Sequence, residues 1–172
     1  MRHLIIIISL FLTLSLSSQT CEKSNVTSYL NDPDTSGTNL RNCPNGEILY
    51  VIKNNNQEED HVMTFEILNS KENWLYVKTL DNYNEPEKRG WIYGELVSVD
   101  TRNYSGQKIN LYTEPNESSS VKNNIIMAEQ TVYILDVCGQ WAYIRFTDES
   151  GHSKEGWLEP EMQCGNPYTT CG

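Results

Sequence analysis

The chain alternates apolar and polar residues over short stretches, which is the pattern of half-buried β-strands. Phe65 and Ile67 alternate with polar neighbours in one such stretch, and Val132 and Ile134 do so in another. A period of two places alternate side chains on one face of a strand. Short polar turns follow both stretches and lead into further strands, each centred on a tryptophan. The pattern therefore predicts an all-β protein of short antiparallel strands.

The same arrangement of residues occurs twice along the chain, at a nearly constant offset. Each unit contains an Asn-Leu pair, an alternating strand, a Trp-centred strand and a Gly-Trp strand near its end. The matched segments are 38–41 with 109–112, 64–68 with 131–135, 73–77 with 140–144, and 90–92 with 156–158. All four tryptophans fall in matched positions. A unit of about 60 residues has a marginal core of its own, so we expect the two units to dock, with Val97 to Gln107 linking them as a fairly rigid pair.

The N-terminus has the features of a secretory signal peptide. Arg2 and His3 precede an apolar run that extends from Leu4 to Leu16 and ends in small and polar residues. The run is too short for a comfortable membrane span. We predict a signal peptide over residues 1–19, cleavage between Ser17 and Thr20, and an exported protein that is periplasmic or extracellular. Acylation of Cys21 is an alternative, but the residues before it fit a lipoprotein signal poorly.

Charge and composition exclude some classes of partner. The formal net charge is −10, with 23 acidic and 13 basic residues. Nucleic-acid binding needs clustered Lys and Arg, so we expect no nucleic-acid partner. The main effect expected of the acidic surface is to keep the protein soluble.

Five cysteines in an exported chain favour disulfides over metal binding. No two of them have the short spacing of a zinc site, and we expect neither metal nor cofactor. At most two disulfides can form. Cys164 and Cys171 bracket a turn-rich segment that could close on itself, and Cys138 paired with either of them is the alternative.

The ordered motifs resemble the bacterial SH3 (SH3b) family. The first unit has Asn39-Leu40-Arg41, Trp74 to Val77 and Gly90-Trp91-Ile92 where that family has N-[VIL]-R, W-x-x-V and G-W-[VIL]. The second unit departs from this pattern at Tyr112, which replaces the Arg. The opening around Tyr29 to Arg41 and the ending near Cys164 are similar to those of secreted SH3 proteins of the Bacteroidetes.

The resemblance implies two tandem small SH3-like antiparallel barrels after a cleaved signal peptide. Module 1 covers residues 26–100, module 2 covers 106–165, and a Cys-containing tail covers 166–172. The resemblance also implies binding, often of peptidoglycan peptides. Fold alone does not supply a function.

Candidate ligand-binding residues are tyrosines, which keep a polar tip at a wet surface, and a charged group in the first loop. They are Tyr29, Asp32, Asp34, Arg41, Tyr76, Tyr93, Tyr112 and Tyr143. Two alternatives give the charged and aromatic residues purely structural roles. The aspartates could terminate a turn and pair with Arg41, and the four tryptophans could serve in core and hairpin packing instead of forming a binding strip.

No catalytic motif emerges, and we expect no enzyme. The leading hypothesis is an envelope binding module that recognises cell-wall peptide or a similar extended peptide. The alternative is a secreted inhibitor or immunity-type protein that binds a dedicated protein partner through its acidic surface. High salt should weaken only the second kind of binding markedly.

Overall fold

The computed structural model describes residues 21, 23–53, 62–80, 86–168 and 171. Thirteen strands lie within these ranges and join in one antiparallel sheet. They are β1 (Val26–Leu30), β2 (Thr38–Arg41), β3 (Ile48–Ile52), β4 (Thr64–Lys71), β5 (Trp74–Thr79), β6 (Arg89–Tyr93), β7 (Val97–Thr101), β8 (Ile109–Tyr112), β9 (Val121–Ile125), β10 (Thr131–Cys138), β11 (Trp141–Thr147), β12 (Ser153–Leu158) and β13 (Gln163–Cys164). The described residues contain two short 3₁₀ turns, Gly94–Leu96 and Pro160–Met162, and no α-helix. The all-β prediction is confirmed; the predicted signal peptide at 1–19 lies outside the described residues.

The sheet runs in the order β3-β2-β6-β5-β4-β1-β7-β10-β11-β12-β8-β9, with β13 also paired to β7. This order contains one pairing pattern twice. The strands β4, β5, β6, β2 and β3 pair in the same succession as β10, β11, β12, β8 and β9. The two repeated units of the sequence therefore share one pattern of strand pairing.

Strand β7 belongs to both units, although the sequence places it in the expected linker. It pairs with β1 of the first unit and with β10 and β13 of the second. Val97, Ser98, Val99 and Thr101 are buried. The linker interpretation of Val97 to Gln107 is therefore wrong for its first five residues, which form a central strand.

The apolar core is continuous across both units. It contains the inward residues of each Trp-centred strand, such as Leu75 and Val77 in β5 and Ala142 and Ile144 in β11. In β5 and β11 the predicted alternation is therefore present, and it directs every second residue into the core.

The repeated Gly-Trp motif has a steric cause. A Cβ atom on Gly156 would lie 2.7 Å from Cβ of Leu111, and one on Gly90 would lie 3.0 Å from Cβ of Leu40. In each unit the last long strand therefore lies so close to the Asn-Leu strand that a side chain in place of the glycine would push on its neighbours, more strongly at Gly156 than at Gly90.

Two disulfides close the chain, Cys21–Cys138 and Cys164–Cys171, and Cys43 is free and exposed. Of the pairings that the sequence left open, Cys164–Cys171 is the one that forms. The alternative that paired Cys138 with either of these residues is wrong, because Cys138 lies at the end of β10, beside the start of the described chain. Two disulfides suit an exported protein.

Candidate functional site

The loop between β1 and β2 is held in shape by its aspartates. The Asp32 carboxylate accepts hydrogen bonds from the Thr38 hydroxyl at 2.5 Å and from the Asp34 backbone N–H at 2.9 Å. Asp34 in turn accepts from the backbone N–H of Ser36 at 2.8 Å. Such side chain to backbone bonds are typical of Asx turns. Asp32 is buried and Asp34 is exposed, so the second carboxylate faces solvent at the loop surface.

Hydrogen bonding favours the ionised form of that exposed carboxylate. The bond from the Ser36 backbone N–H, helped by the Ser36 side chain, holds the pKa of Asp34 below its ordinary value. The loop therefore presents a negative charge in a fixed place.

Three strands bring a cation and two aromatic rings against this loop. Arg41 ends β2 and lies across from Trp91 of β6, while Trp74 of β5 lies across from Tyr93 of β6. The Arg41 guanidinium donates to the carbonyl oxygen of Gly46 at 2.6 Å, a bond that orients it along β2. A guanidinium has five N–H donors, so further donors remain for a ligand.

The loop and the strands enclose a cleft of about 330 Å³, which we name the first-unit cleft. It is lined by Asp32, Asp34, Gly37, Thr38, Asn39, Arg41, Trp74, Tyr93 and Leu96. Opposite charges and an aromatic wall thus meet in one cleft. Such a site can hold a small group or chain segment that carries both an amine and a carboxylate.

The tryptophans lie on the outer face of the sheet and not in the core. Each is half-buried, and the residue that follows it along the strand is a core residue, as Leu75 is for Trp74. Trp74 stacks edge-on with Tyr93 at 5.6 Å between ring centroids, and Tyr76 lies 5.5 Å from Trp91. The tryptophans therefore pack within the hairpins, as Trp74 does against Tyr93, and the alternative that places them in the core is wrong, because the strand period places them opposite the core residues.

The second unit has the aromatic pairs without the matching charges. Tyr112 stacks on Trp141 at 5.6 Å and Tyr143 on Trp157 at 5.3 Å. The Tyr143 hydroxyl accepts from the Lys122 ammonium at 2.6 Å and donates to Glu155 at 3.1 Å. This hydroxyl is therefore already engaged within the protein.

Glu155 also anchors Arg145, and this pair reaches across to the first unit. The Arg145 guanidinium contacts Glu155 at 2.7 Å and forms a further ion pair with Glu95, which lies in the first unit's 3₁₀ turn. Burial raises the pKa of Glu155, but the hydrogen bonds from Arg145 and Tyr143 outweigh it and leave that pKa lowered. The charges of this region serve the contact between the units.

The structure sorts the eight predicted ligand residues into three places. Four of them, Asp32, Asp34, Arg41 and Tyr93, meet in the first-unit cleft. Tyr76 does not line the cleft, and its ring packs beside Trp91. The other three do not contribute, because Tyr29 is buried between the units and Tyr112 and Tyr143 belong to the second unit.

Sequence reasoning did not place Thr38, Asn39 or Leu96 in the cleft. The signal for Thr38 was its position at the start of β2, six residues after the aspartate that it bonds. Leu96 has no local signal, since the 3₁₀ turn that carries it reaches the cleft only through folding.

Two other depressions on the described surface are larger. One of about 550 Å³ includes Lys23, Glu66, Trp141 and Pro160, but Glu66 is bound by Lys78 at 2.5 Å. The other, of about 490 Å³, lies beside β9.

Within the described ranges no group of three or more His, Cys, Asp or Glu side chains could hold a metal ion. In the same ranges no helix is long and apolar enough to cross a membrane.

Comparison with known proteins gives little further information. No protein-family model and no curated protein matches the chain. Among solved structures it is similar to NlpC1 from Trichomonas vaginalis, with 16% identity and a TM-score of 0.32 over 88% of this chain and 50% of that one. It is also similar to NlpC2 from the same organism, with 16% identity and a TM-score of 0.32 over 83% of this chain and 49% of that one. The chain spans about half the length of these two proteins, and a likeness at this level assigns it no function.

Proposed function

We propose that this chain is a non-enzymatic, exported binding protein built from two tandem SH3b-like barrels, and that its first-unit cleft binds an extended peptide such as cell-wall peptide. The twofold repetition of one pairing pattern supports two equivalent small antiparallel units. The sequence resemblance to bacterial SH3 modules supports the assignment to that family and the class of ligand.

The meeting of Asp34, Arg41, Trp74 and Tyr93 in one cleft carries the proposal. The carboxylate of Asp34 can bind a free amine, and the guanidinium of Arg41 can bind a carboxylate in two-pronged geometry. The rings of Trp74 and Tyr93 give an extended backbone an apolar surface. Stem peptides of peptidoglycan offer amines and carboxylates on a short extended chain, so they match this arrangement.

The second unit suggests a substitution for the first, because it carries a different residue at the position equivalent to Arg41. In Arg41→Tyr the first unit receives a tyrosine, the residue that the second unit has at the equivalent position, Tyr112. We expect this change to weaken peptide binding by about 10-fold or more, because a charged hydrogen bond contributes about 1.5–3 kcal/mol. Trp74→Ala should weaken it as well, whereas Trp141→Phe in the second unit should leave it unchanged.

Two measurements test the proposal. Calorimetric titration of the exported protein with a soluble stem peptide gives the affinity of each variant. Co-sedimentation with purified peptidoglycan from the protein's own host, at low and moderate salt, shows whether the wall itself is bound. Salt-resistant pelleting that Arg41→Tyr abolishes supports wall recognition. Protein that stays in solution at both salts, or pelleting that is indifferent to Arg41 and Trp74, rejects it.

The net charge of −10 supports a second candidate, an inhibitor or immunity-type protein for a basic partner. Association of that kind depends on long-range attraction and weakens markedly as salt rises. Capture of a basic protein at low salt that is lost at moderate salt, with no wall binding, would favour this candidate over the first.

A further inference from the structure

Strand β3 is an apolar strand exposed at one end of the sheet. Its inner edge pairs with β2, and among the described residues no strand pairs with its outer edge. Ile48, Leu49, Tyr50 and Val51 are each 44–52% exposed, and only Ile52 is buried. Because successive residues alternate between faces, both faces of this strand are apolar and open. Natural proteins usually avoid such an edge, since it is a template for pairing with another strand.

The second unit shows that the fold does not require this edge to be apolar. Tyr50 pairs with Leu40 in the first unit, and Asn123 pairs with the equivalent Leu111 in the second. In that register Lys122 stands where the first unit has Leu49, and Asn124 stands where it has Val51. Lys and polar side chains protect an edge strand from pairing. Only one of two equivalent edges is therefore unprotected.

We propose that β3 is a self-association surface, on which a second copy of this chain pairs antiparallel through its own β3. A register centred on Tyr50 places Tyr50 opposite Tyr50 of the second copy and Leu49 opposite Val51. The same register places Glu47 opposite Lys53 of the second copy, at both ends of the paired strands.

Charge complementarity distinguishes this register from its neighbours. Glu47 and Lys53 are both exposed and flank the apolar stretch on either side. A shift by two residues keeps the strand faces matched but removes both ion pairs. Opposite charges that face each other across strands stabilise the pairing, and a two-fold interface repeats each contact. The strand is thus complementary to itself in apolar character and in charge.

Pairing of this kind would extend the sheet from one copy into the other. The two β2 strands would then lie about 14 Å apart, three strand spacings. Because β2 carries Thr38, Asn39 and Arg41, the dimer would bring two first-unit clefts close together. If the proposed peptide binding holds, a polymer with repeated peptides would engage both clefts, and avidity would exceed the affinity of one.

The test measures the oligomeric state of the exported protein by sedimentation velocity over a range of concentrations. A Cys43→Ser background removes the exposed free thiol, so that only non-covalent association is measured. We expect a reversible monomer–dimer equilibrium. Leu49→Lys/Val51→Asn gives β3 the residues that β9 has at these positions, and should raise the dissociation constant about 10-fold or more.

A charge exchange tests the register independently of the apolar contacts. Glu47→Lys alone places two lysines opposite each other at both ends and should weaken the dimer. Glu47→Lys/Lys53→Glu restores opposite charges and should recover it. Thermal unfolding of each variant checks that the fold is kept.

Three results would overturn the proposal. They are a wild-type protein that stays monomeric up to its solubility limit, a dimer that Leu49→Lys/Val51→Asn does not weaken, and a double charge exchange that is no better than the single one. If the first of these results is found and β3 of the monomer captures an unrelated strand peptide, the occupant of β3 is a foreign partner. None of these results depends on whether the first-unit cleft binds peptide.

Discussion

Tyr29 shows how one side chain fastens the two units together. Its hydroxyl donates to the Asp100 carboxylate at 2.6 Å, and the ring is buried at the start of the seam between β1 and β7. Asp100 also accepts from Thr131 of the second unit at 2.7 Å. Burial raises the pKa of Tyr29 above its ordinary value, and the hydrogen bond to Asp100 raises it further.

The raised pKa of Tyr29 predicts a loss of stability in alkali. The folded state keeps the phenol protonated, so this contribution to stability is complete below the unfolded-state pKa of about 10 and is lost as the pH rises through the folded-state pKa. Between about pH 9 and about pH 11, the free energy of unfolding of the wild type should therefore fall more steeply than that of Tyr29→Phe. Urea unfolding at each pH measures this difference. Tyr104→Phe, at an exposed tyrosine, is the control; equal slopes for Tyr29→Phe and the wild type would contradict the prediction.

At the scale of strands, the Asn-Leu strand and the Gly-Trp strand approach each other closely in each unit. The strand that carries the glycine turns its tryptophan outward and leaves its backbone against a core leucine. The motif therefore has a packing role at its first residue and a surface role at its second. This division explains why the two residues recur together in both units.

Gly156→Ala should destabilise the protein by about 1–3 kcal/mol, because the new Cβ overlaps with a core side chain that cannot move away. Gly90→Ala should cost less, since its Cβ would meet Leu40 at 3.0 Å and not at 2.7 Å. Ser153→Ala, exposed in the same strand as Gly156, should change stability by no more than about 0.5 kcal/mol. Chemical denaturation gives all three values. A loss at Gly156 no larger than that at Ser153 would show that the strands separate without cost.

Within the described residues the two units meet at a seam in which β7 is a common strand. Across the seam Ser70 bonds Asp136 and Glu95 pairs with Arg145. The Cys21–Cys138 disulfide ties the start of the described chain to the second unit. We therefore expect the two units to unfold together in one transition.

The two disulfides should contribute unequally. Cys21–Cys138 closes 117 residues and Cys164–Cys171 closes 7. By chain entropy, removal of the first should cost about 5 kcal/mol and removal of the second about 2 kcal/mol. Urea unfolding of Cys21→Ala/Cys138→Ala and of Cys164→Ala/Cys171→Ala measures both. Equal losses would mean that loop closure is not what the longer bridge contributes.

The sequence by itself determined the local features of this protein. The period of two in its apolar residues identified the strands, and the recurrence of its motifs identified two equivalent units. The short spacing of Cys164 and Cys171 made one disulfide accessible, and the Asp32 to Arg41 segment indicated a charged loop. These features depend on neighbours in the chain, so they can be read from it.

Only the tertiary structure decided how these parts meet. A period of two separates two faces of a strand without saying which face is buried, and so the tryptophans could be placed only after folding. That β7 serves both units, and that Cys138 meets Cys21, depends on pairing between distant segments. The first-unit cleft likewise combines a loop, a strand end and a 3₁₀ turn, which come together because the sheet buries one face of each strand in a single shared core.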